Sequence, residues 1–571
     1  MEQKGSRPKV SRRVFLKTAM AAGGAVLLAA CNSAPPGSPT SAPAQPAGPA
    51  AQPTTSGAAG PATPGKILTY DQANTPKMDP AVGSDGAASH FLPNIYDALV
   101  FPTFDGGTEG QLATKWDISP DGLTYIFTLR QGMKFHDGSE VTAEDVAFSM
   151  NRLLEMKQGF SYIFAGRMKS ATAPDKYTAK FELTKPFGPF LTSLVRLYVV
   201  NKKAVMAHLT PGPYGQNQDY GNAWLMSADA GSGPYKLKEV RQNEYVLAEK
   251  FGDHWGGFKP GNPEGVKMIG SNEPVMVRTL MSRRELDVAD EWLPVETFKA
   301  FAQTPGMEVP AFFAGSMLYI TTNTAKPPTD DIHIRKAIAS IIDYVTLTKN
   351  VFVDFKPATG WVAEVLPGHK VEPLPQYNLD TAKSEIAQSK YAGKIDQYPI
   401  DIVFPTGIAE REKCALAMQA EGAKVGLKMN VVVTPWASMV ERASKADTTP
   451  HTTVTQVSPD YVEAGALLGA VFHSNAFGTW QNMSWSKNAD VDKAIDDAIT
   501  TSDFQQRMDK YGVAGDKLTE AFPGIPLLEP VQKRPYQSGY LRWEMAERLK
   551  AGKKVVAPSG YILYAKHFEY K

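Results

Sequence analysis

Residues 32–65 divide the chain into two parts with different folding behaviour. This stretch contains nine prolines and no charged side chain. Proline lacks the backbone N–H that helices and sheets use, and the apolar residues here are too small to build a core. The stretch therefore predicts an extended tether, which would reach roughly 100 Å as a polyproline II helix at about 3.1 Å per residue. The folded body is expected in residues 66–571.

The composition of the whole chain narrows what that body can be. A chain of 571 residues is too long for one hydrophobic core, so we expect two to four domains or one large discontinuous architecture. With 43% hydrophobic and 21% charged residues, it is neither disordered throughout nor a multi-span membrane protein. The formal net charge of +1 argues against a nucleic-acid partner, because such binding rests on neutralising phosphates.

The first 30 residues have the pattern of an export signal. Their net charge is +5, and residues 18–30 form an apolar run of only 13 residues. A helix needs about 20 residues to span a bilayer, so this run predicts a cleavable signal rather than a membrane span. The basic residues are Lys4, Arg7, Lys9, Arg12, Arg13 and Lys17.

Two short motifs refine this signal. Ser-Arg-Arg-Val-Phe-Leu-Lys at residues 11–17 resembles the twin-arginine export consensus, and Leu-Ala-Ala-Cys at residues 28–31 resembles a lipobox. The resemblance implies that the Cys31 thiol is diacylated and that signal peptidase then cuts before it. We expect residues 1–30 to be a twin-arginine lipoprotein signal peptide and residues 31–65 a lipid-anchored, disordered tether. The protein would then be extracytoplasmic, anchored by lipid in the periplasm or at the outer face of the cytoplasmic membrane.

Residues 112–152 are the most informative block of the folded body. Ser-Pro-Asp-Gly at 119–122 predicts a turn, and apolar and polar residues alternate over 123–130 as in a half-buried strand. Thr142 with Asp145 three residues later predicts a capped helix, because the two side chains can satisfy free N–H groups of the first turn. All of these features are scaffold.

The same block resembles the signature of the family 5 extracytoplasmic solute-binding proteins of ABC transporters, which includes oligopeptide, dipeptide and nickel binders. Further segments are also similar to that family and follow one another in the family's order. Together they cover residues 67–528. These segments are residues 75–80, 94–100, 231–237, 255–257, 284–289, 323–324, 327–328, 330–342 and 523–527.

The resemblance implies an α/β fold, a three-domain clamshell of the periplasmic-binding-protein type (type II, the large class with an extra domain). Domain I would comprise residues 66–100, 228–318 and 530–571, domain II residues 101–227, and domain III residues 319–529. The two crossings between domains I and III, near 319–323 and 528, would be hinge strands. Such a protein captures a solute between its lobes and delivers it to permease subunits with cytoplasmic ATPases, without catalysis, and we expect a monomer.

A secreted hydrolase is the alternative from another class. The sequence has no His-Glu-x-x-His, Gly-x-Ser-x-Gly or phosphate-binding-loop motif, and its nine histidines are scattered. Cys414 is the only cysteine besides Cys31 and lies in an apolar helical run, where a packed core thiol is expected. We predict no catalytic residue, no metal and no cofactor.

Asp460 is the strongest candidate for a residue that contacts the solute. The segment 458–464 is similar to one whose Asp, in peptide-binding members of the family, pairs with the ligand's α-ammonium group. The other interpretation is that Asp460 makes an Asx turn after Pro459. Two departures bear on peptide specificity, because Val457 replaces an aromatic residue and Ala464 replaces the proline that ends the motif.

A third departure concerns the other end of a peptide. Dipeptide-type members hold the ligand carboxylate with an Arg in the loop before the helix that here begins near Glu410. Residues 404–409 contain no Arg. This disfavours a tight dipeptide clamp and leaves longer peptides and non-peptide solutes open.

Aromatic residues supply the remaining candidates, because flat rings stack on sugars and on peptide side chains. We predict that Tyr461, Trp436 and Trp292 line the cleft, the two tryptophans because each lies near a strand end. Core packing is the alternative for each of them. An oligosaccharide is the rival solute, and Asp460 discriminates: its change to Asn should remove most affinity for a peptide but only one hydrogen bond to a sugar. Nickel or haem uptake has no supporting His or Met arrangement.

Overall fold

The computed structural model of the protein describes residues 67–556, 558 and 560–571. The predicted signal peptide, the tether and Cys31 lie outside the described residues. Among the described helices, none combines the length and the apolar character that a membrane crossing requires.

The first sheet has four strands, in the order Ile67–Asp71, Gly265–Ile269, Tyr245–Lys250 and Tyr235–Arg241. The first two run parallel, whereas the last two form antiparallel neighbours. All four strands come from segments predicted for domain I. The exact boundaries of that domain stay a prediction.

The second four-stranded sheet is antiparallel, in the order Ala113–Ile118, Thr124–Leu129, Thr178–Leu183 and Met168–Asp175. The predicted turn before its second strand is confirmed, since the N–H of Gly122 donates to the Ser119 carbonyl at 2.8 Å. The alternation is confirmed as well, with Tyr125, Phe127 and Leu129 buried on one face.

The predicted capped helix is the helix Ala143–Met156. The Asp145 carboxylate accepts from both the N–H and the hydroxyl of Thr142, at 2.9 and 2.7 Å. Farther along this helix, Arg152 forms a buried, bidentate ion pair with Asp79. Its Nη1 and Nη2 atoms donate to the two carboxylate oxygens at 2.7 and 2.6 Å. Asp79 belongs to the family segment at residues 75–80. The ion pair therefore connects the N-terminal part of the folded body to this helix.

The third sheet has six strands, in the order Lys356–Pro357, Gly524–Glu529, Met317–Thr322, Thr452–Val457, Ile400–Pro405 and Met429–Thr434. The last three run parallel to one another, and Met317–Thr322 runs antiparallel to both of its neighbours. Four strands therefore end at one side of the sheet, which we call the carboxyl edge. They are Gly524–Glu529, Thr452–Val457, Ile400–Pro405 and Met429–Thr434.

Three two-stranded sheets complete the β-structure: Val100–Pro102 with Thr108–Gly110, Ala311–Phe313 with Val531–Lys533, and Leu541–Trp543 with Phe568–Tyr570. The described α-helices are Gly86–Ile95, Ala143–Met156, Ser161–Phe164, Phe190–Ser193, Lys202–Met206, Asn222–Leu225, Pro274–Arg283, Val295–Ala302, Ile332–Ser340, Tyr344–Asn350, Leu379–Gln388, Ala409–Lys424, Trp436–Arg442, Ala464–Val471, Ala489–Ile499, Phe504–Ala521 and Glu544–Lys550.

The glycine-rich turn at residues 231–234 has a packing role. A Cβ on Gly231 would lie 2.1 Å from the carbonyl oxygen of Ile95, and the N–H of Gly233 donates to that same oxygen at 2.9 Å. Only glycine lets the two backbones approach this closely. The turn therefore closes on the end of the helix Gly86–Ile95.

Cys414 lies on the buried face of the helix Ala409–Lys424 and forms no disulfide. Burial raises the pKa of its thiol to about 12. A thiol with so high a pKa is protonated at neutral pH and is a poor nucleophile. The expectation of a packed core thiol is confirmed.

Candidate functional site

Two of the predicted site residues follow strands that end at the carboxyl edge of the six-stranded sheet. Asp460 comes three residues after the strand Thr452–Val457, and Trp436 begins the helix that follows Met429–Thr434. The strand Ile400–Pro405 lies between those two strands. Neighbouring strands are about 4.8 Å apart, so the two strand ends are separated by roughly 10 Å. In open α/β sheets this edge is where ligands bind.

The loop that carries Asp460 is held firmly at both ends. Before it, the hydroxyls of Ser316 and Ser458 are hydrogen-bonded at 2.8 Å. After it, Glu463 accepts two hydrogen bonds from the buried Arg507 guanidinium, each at 2.9 Å, and a third from Tyr511 at 3.2 Å. The ion pair is buried and bidentate, a geometry that fixes the orientation of the two side chains as well as the distance between them.

The Asp460 carboxylate faces residues 160–196, the part of the chain that also carries two strands of the second sheet. Its Oδ2 accepts a hydrogen bond from the Tyr162 hydroxyl at 2.5 Å. Its backbone carbonyl accepts from Nε of the buried Arg196 at 3.0 Å. These contacts join residues 298 and 264 positions apart in the sequence.

The electrostatic balance at Asp460 is dominated by desolvation. Burial raises the pKa of its carboxyl, while the positive charge of Arg196 and the hydrogen bond from Tyr162 act in the opposite direction. A carboxylate removed from water is costly unless a cation or donors compensate it. The site is therefore suited to a cationic or strongly hydrogen-bonding group.

Tyr461 is buried, and its ring meets the ring of Phe187 edge to face with the centroids 6.2 Å apart. Its hydroxyl pKa is raised by burial. Asp460 and Tyr461 thus contact the same segment, residues 160–196. Whether either touches the solute stays a prediction, as does the Asx-turn interpretation.

The predicted Trp436 and two further tryptophans, Trp361 and Trp480, differ in their exposure. Trp436 is 43% exposed, and its ring meets that of Trp480 edge to face at 5.0 Å. Trp361 is buried among Phe472 and Phe522, with its indole N–H bonded to Thr519. Trp361 is therefore core, whereas Trp436 is exposed and Trp480 is half-buried.

Trp292 is 47% exposed. It comes directly after Asp290 and Glu291, which belong to a buried cluster of charged side chains. The cluster consists of Arg534 with Asp290 and Glu291, at 3.6 and 3.4 Å. Burial raises the pKa of both carboxyls, and Arg534 opposes this shift. None of the described ring contacts or hydrogen bonds joins Trp292 to Asp460, and the place of Trp292 in the cleft stays a prediction.

The described residues contain no group of three or more His, Cys, Asp or Glu side chains arranged to hold a metal ion. Two residues of the site, Tyr162 and Arg196, were not predicted from the sequence. No local pattern marks them, because each reaches Asp460 across more than 260 residues of chain.

The family model for bacterial extracellular solute-binding proteins, family 5, matches residues 107–479, and the chain belongs to this family. The chain is 30% identical to the probable D,D-dipeptide-binding periplasmic protein DdpA of Escherichia coli K12, over 79% of this chain and 86% of that protein. It is 28% identical to the di/tripeptide-binding protein 2 of Pseudomonas aeruginosa, over 85% and 94% of the two chains.

A solved structure has the same fold at lower identity. The periplasmic binding protein DppA from Helicobacter pylori, in complex with the peptide STSA, superimposes with a TM-score of 0.74 at 22% identity. The match covers 88% of this chain and 98% of that one. The α/β, multi-domain clamshell expected from the sequence is confirmed, and the relatives are extracytoplasmic binding proteins.

We predict that removing the Tyr162 hydroxyl raises the pKa of Asp460 further. The hydroxyl stabilises only the ionised carboxylate, so Tyr162→Phe disfavours ionisation. The measurement is a carboxyl-carbon NMR titration of wild type and variant. Tyr245→Phe is the matched control, because Tyr245 donates to a different carboxylate, Glu239, at 3.0 Å. An unchanged Asp460 pKa in Tyr162→Phe would contradict a hydrogen bond between these two side chains.

Proposed function

We propose that this protein is the lipid-anchored binding component of an ABC importer and captures a peptide or related solute for delivery to a permease with cytoplasmic ATPases. The observation that carries the proposal is the half-buried Asp460 carboxylate, hydrogen-bonded to Tyr162, at the carboxyl edge of the six-stranded sheet. An ammonium group of the solute would compensate that charge, with Tyr162 as a further hydrogen-bonding neighbour.

The relatives support peptides as the solute class. The Escherichia coli and Pseudomonas aeruginosa proteins bind dipeptides or tripeptides according to their names. They are binding proteins, which supports a protein that holds its solute without converting it. A secreted hydrolase has no comparable support.

An oligosaccharide is the second candidate, and one observation favours it. The exposed Trp436, packed against the half-buried Trp480, offers a ring face at the same sheet edge, where a sugar could stack. The absence of Arg from residues 404–409 also suits a neutral solute.

We predict that Asp460→Asn lowers affinity for peptides with a free amino terminus by roughly 10- to 100-fold, because a charge-assisted hydrogen bond is worth about 1.5–3 kcal/mol. The measurement is thermal unfolding of the mature protein with defined oligopeptides, cello-oligosaccharides and nickel chelates. A solute at 100 times its dissociation constant should add about 2.7 kcal/mol of stability. Asp509→Asn, an exposed carboxylate on a helix, is the control.

The result decides between the candidates. Stabilisation by peptides that Asp460→Asn abolishes agrees with the peptide proposal. Stabilisation by sugars alone, unaffected by Asp460→Asn, would refute it and favour the oligosaccharide.

Anchoring rests on Cys31, and we predict that Cys31→Ala prevents lipid attachment, since the modified atom is the thiol sulfur. Fatty-acid labelling followed by separation of membrane and soluble fractions measures this. The variant should be unlabelled and should leave the membrane fraction. Retention of wild-type labelling in Cys31→Ala would show that this residue is not the lipid attachment point.

A further inference from the structure

Two turns of the second four-stranded sheet make contacts that the candidate site does not account for. One is the turn at residues 119–122, and the other is residues 185–188, which we call the latch segment. Both meet residues 499–502, which we call the receiving turn. The receiving turn connects the helices Ala489–Ile499 and Phe504–Ala521. These distant parts of the chain therefore touch at a second place, outside the candidate site.

The latch segment approaches the receiving turn so closely that a side chain has no room between them. The N–H of Gly188 donates to the carbonyl oxygen of Ile499 at 2.7 Å. A Cβ on Gly188 would lie 2.4 Å from the carbonyl oxygen of Thr501 and 2.5 Å from Nη1 of Arg507. The φ of Gly188 lies outside the left-handed region, so its own backbone conformation is open to alanine. The contact with the receiving turn is therefore what requires a glycine here.

Two further contacts accompany this close approach. In the neighbouring turn, a Cβ on Gly122 would lie 2.3 Å from Oγ of Ser502. The Lys185 ammonium group lies 3.8 Å from the Asp496 carboxylate, and both side chains are about half exposed. An exposed ion pair at this distance contributes little stability. The contacts are thus close but few, which suits a connection that forms and breaks.

The receiving turn is joined to the loop that carries Asp460. Nη1 of the buried Arg507 donates to the carbonyl oxygens of Thr501 and Ser502, each at 2.9 Å. The same guanidinium forms the bidentate ion pair with Glu463, at the end of the Asp460 loop. One buried side chain therefore holds both the loop of the candidate site and the surface that the latch segment contacts.

We propose that the latch segment docks on the receiving turn when the clamshell closes and that it stabilises the closed conformation without the solute. Opening the cleft moves residues 160–196 away from the carboxyl edge, and the latch segment, which belongs to that part of the chain, leaves the receiving turn with them. Because the latch supplies part of the stability of the closed conformation, the solute has to supply less. This role depends on the clamshell fold and not on which solute binds.

The test measures the open and closed populations of the mature protein, freed of solute by unfolding and refolding. Nitroxide labels at Lys169→Cys and Lys493→Cys, two exposed positions on the second sheet and on the helix before the receiving turn, report the distance between the two parts by electron–electron double resonance. Cys414 is buried and stays unlabelled. Gly188→Ala is compared with Gly252→Ala, the matched control, whose φ is also outside the left-handed region and whose Cβ would have no described atom within 4 Å. Circular dichroism confirms that each variant is folded.

We expect the labelled wild type to show a short and a long distance without solute. Gly188→Ala should lower the ratio of the short-distance to the long-distance population by roughly tenfold, because the added methyl group displaces the Thr501 carbonyl and breaks the hydrogen bond to Ile499. Gly252→Ala should match wild type. A wild type without the short distance, or a ratio that Gly188→Ala leaves unchanged, overturns the latch.

A surface substitution decides the question if Gly188→Ala does not fold. Lys185→Glu places two acidic groups side by side where the latch segment docks, and we expect it to lower the ratio by about two- to fivefold. Adding Asp496→Lys exchanges the two charges and should restore the ratio. A ratio that Lys185→Glu leaves unchanged, or that Asp496→Lys does not restore, overturns the latch. No solute enters these measurements, so their outcome is separate from that of the peptide proposal.

Discussion

Parallel pairing of the strands Thr452–Val457 and Ile400–Pro405 is the constraint on which the site depends. Because these strands and Met429–Thr434 run the same way, the segments that follow them emerge at one edge. The scaffold thereby brings Asp460 and Trp436, from two separate stretches of sequence, to the same edge. The contacts of Tyr162 and Arg196 with Asp460 then bring residues 160–196 against this edge.

The electrostatics of that edge follow from burial. Asp460 is half-buried, and desolvation raises the pKa of its carboxyl. The fold compensates this carboxylate in part, through the hydroxyl of Tyr162 and the positive charge of Arg196. A positively charged group of the solute would add to that compensation, which is the physical basis of the proposed preference for a peptide amino group.

Local structure was predictable from the sequence wherever it depends on neighbours in the chain. The turn at 119–122, the alternating strand and the cap at Thr142 are examples, because each rests on residues a few positions apart. The fold could be predicted because segments that resemble the family occur throughout residues 67–528. The partners of the site were not predictable, since Tyr162 and Arg196 meet Asp460 only through the arrangement of the sheets.

A solute that binds between residues 160–196 and the carboxyl edge of the six-stranded sheet should protect both from solvent. Hydrogen exchange of the mature protein, with and without a stabilising peptide, tests this most directly. We expect the peptide to slow exchange together in 160–164, 194–198, 406–412 and 458–464, while the first sheet's outer strand Tyr235–Arg241 is unchanged. Slowed exchange elsewhere, with these four segments unaffected, would contradict binding at this edge.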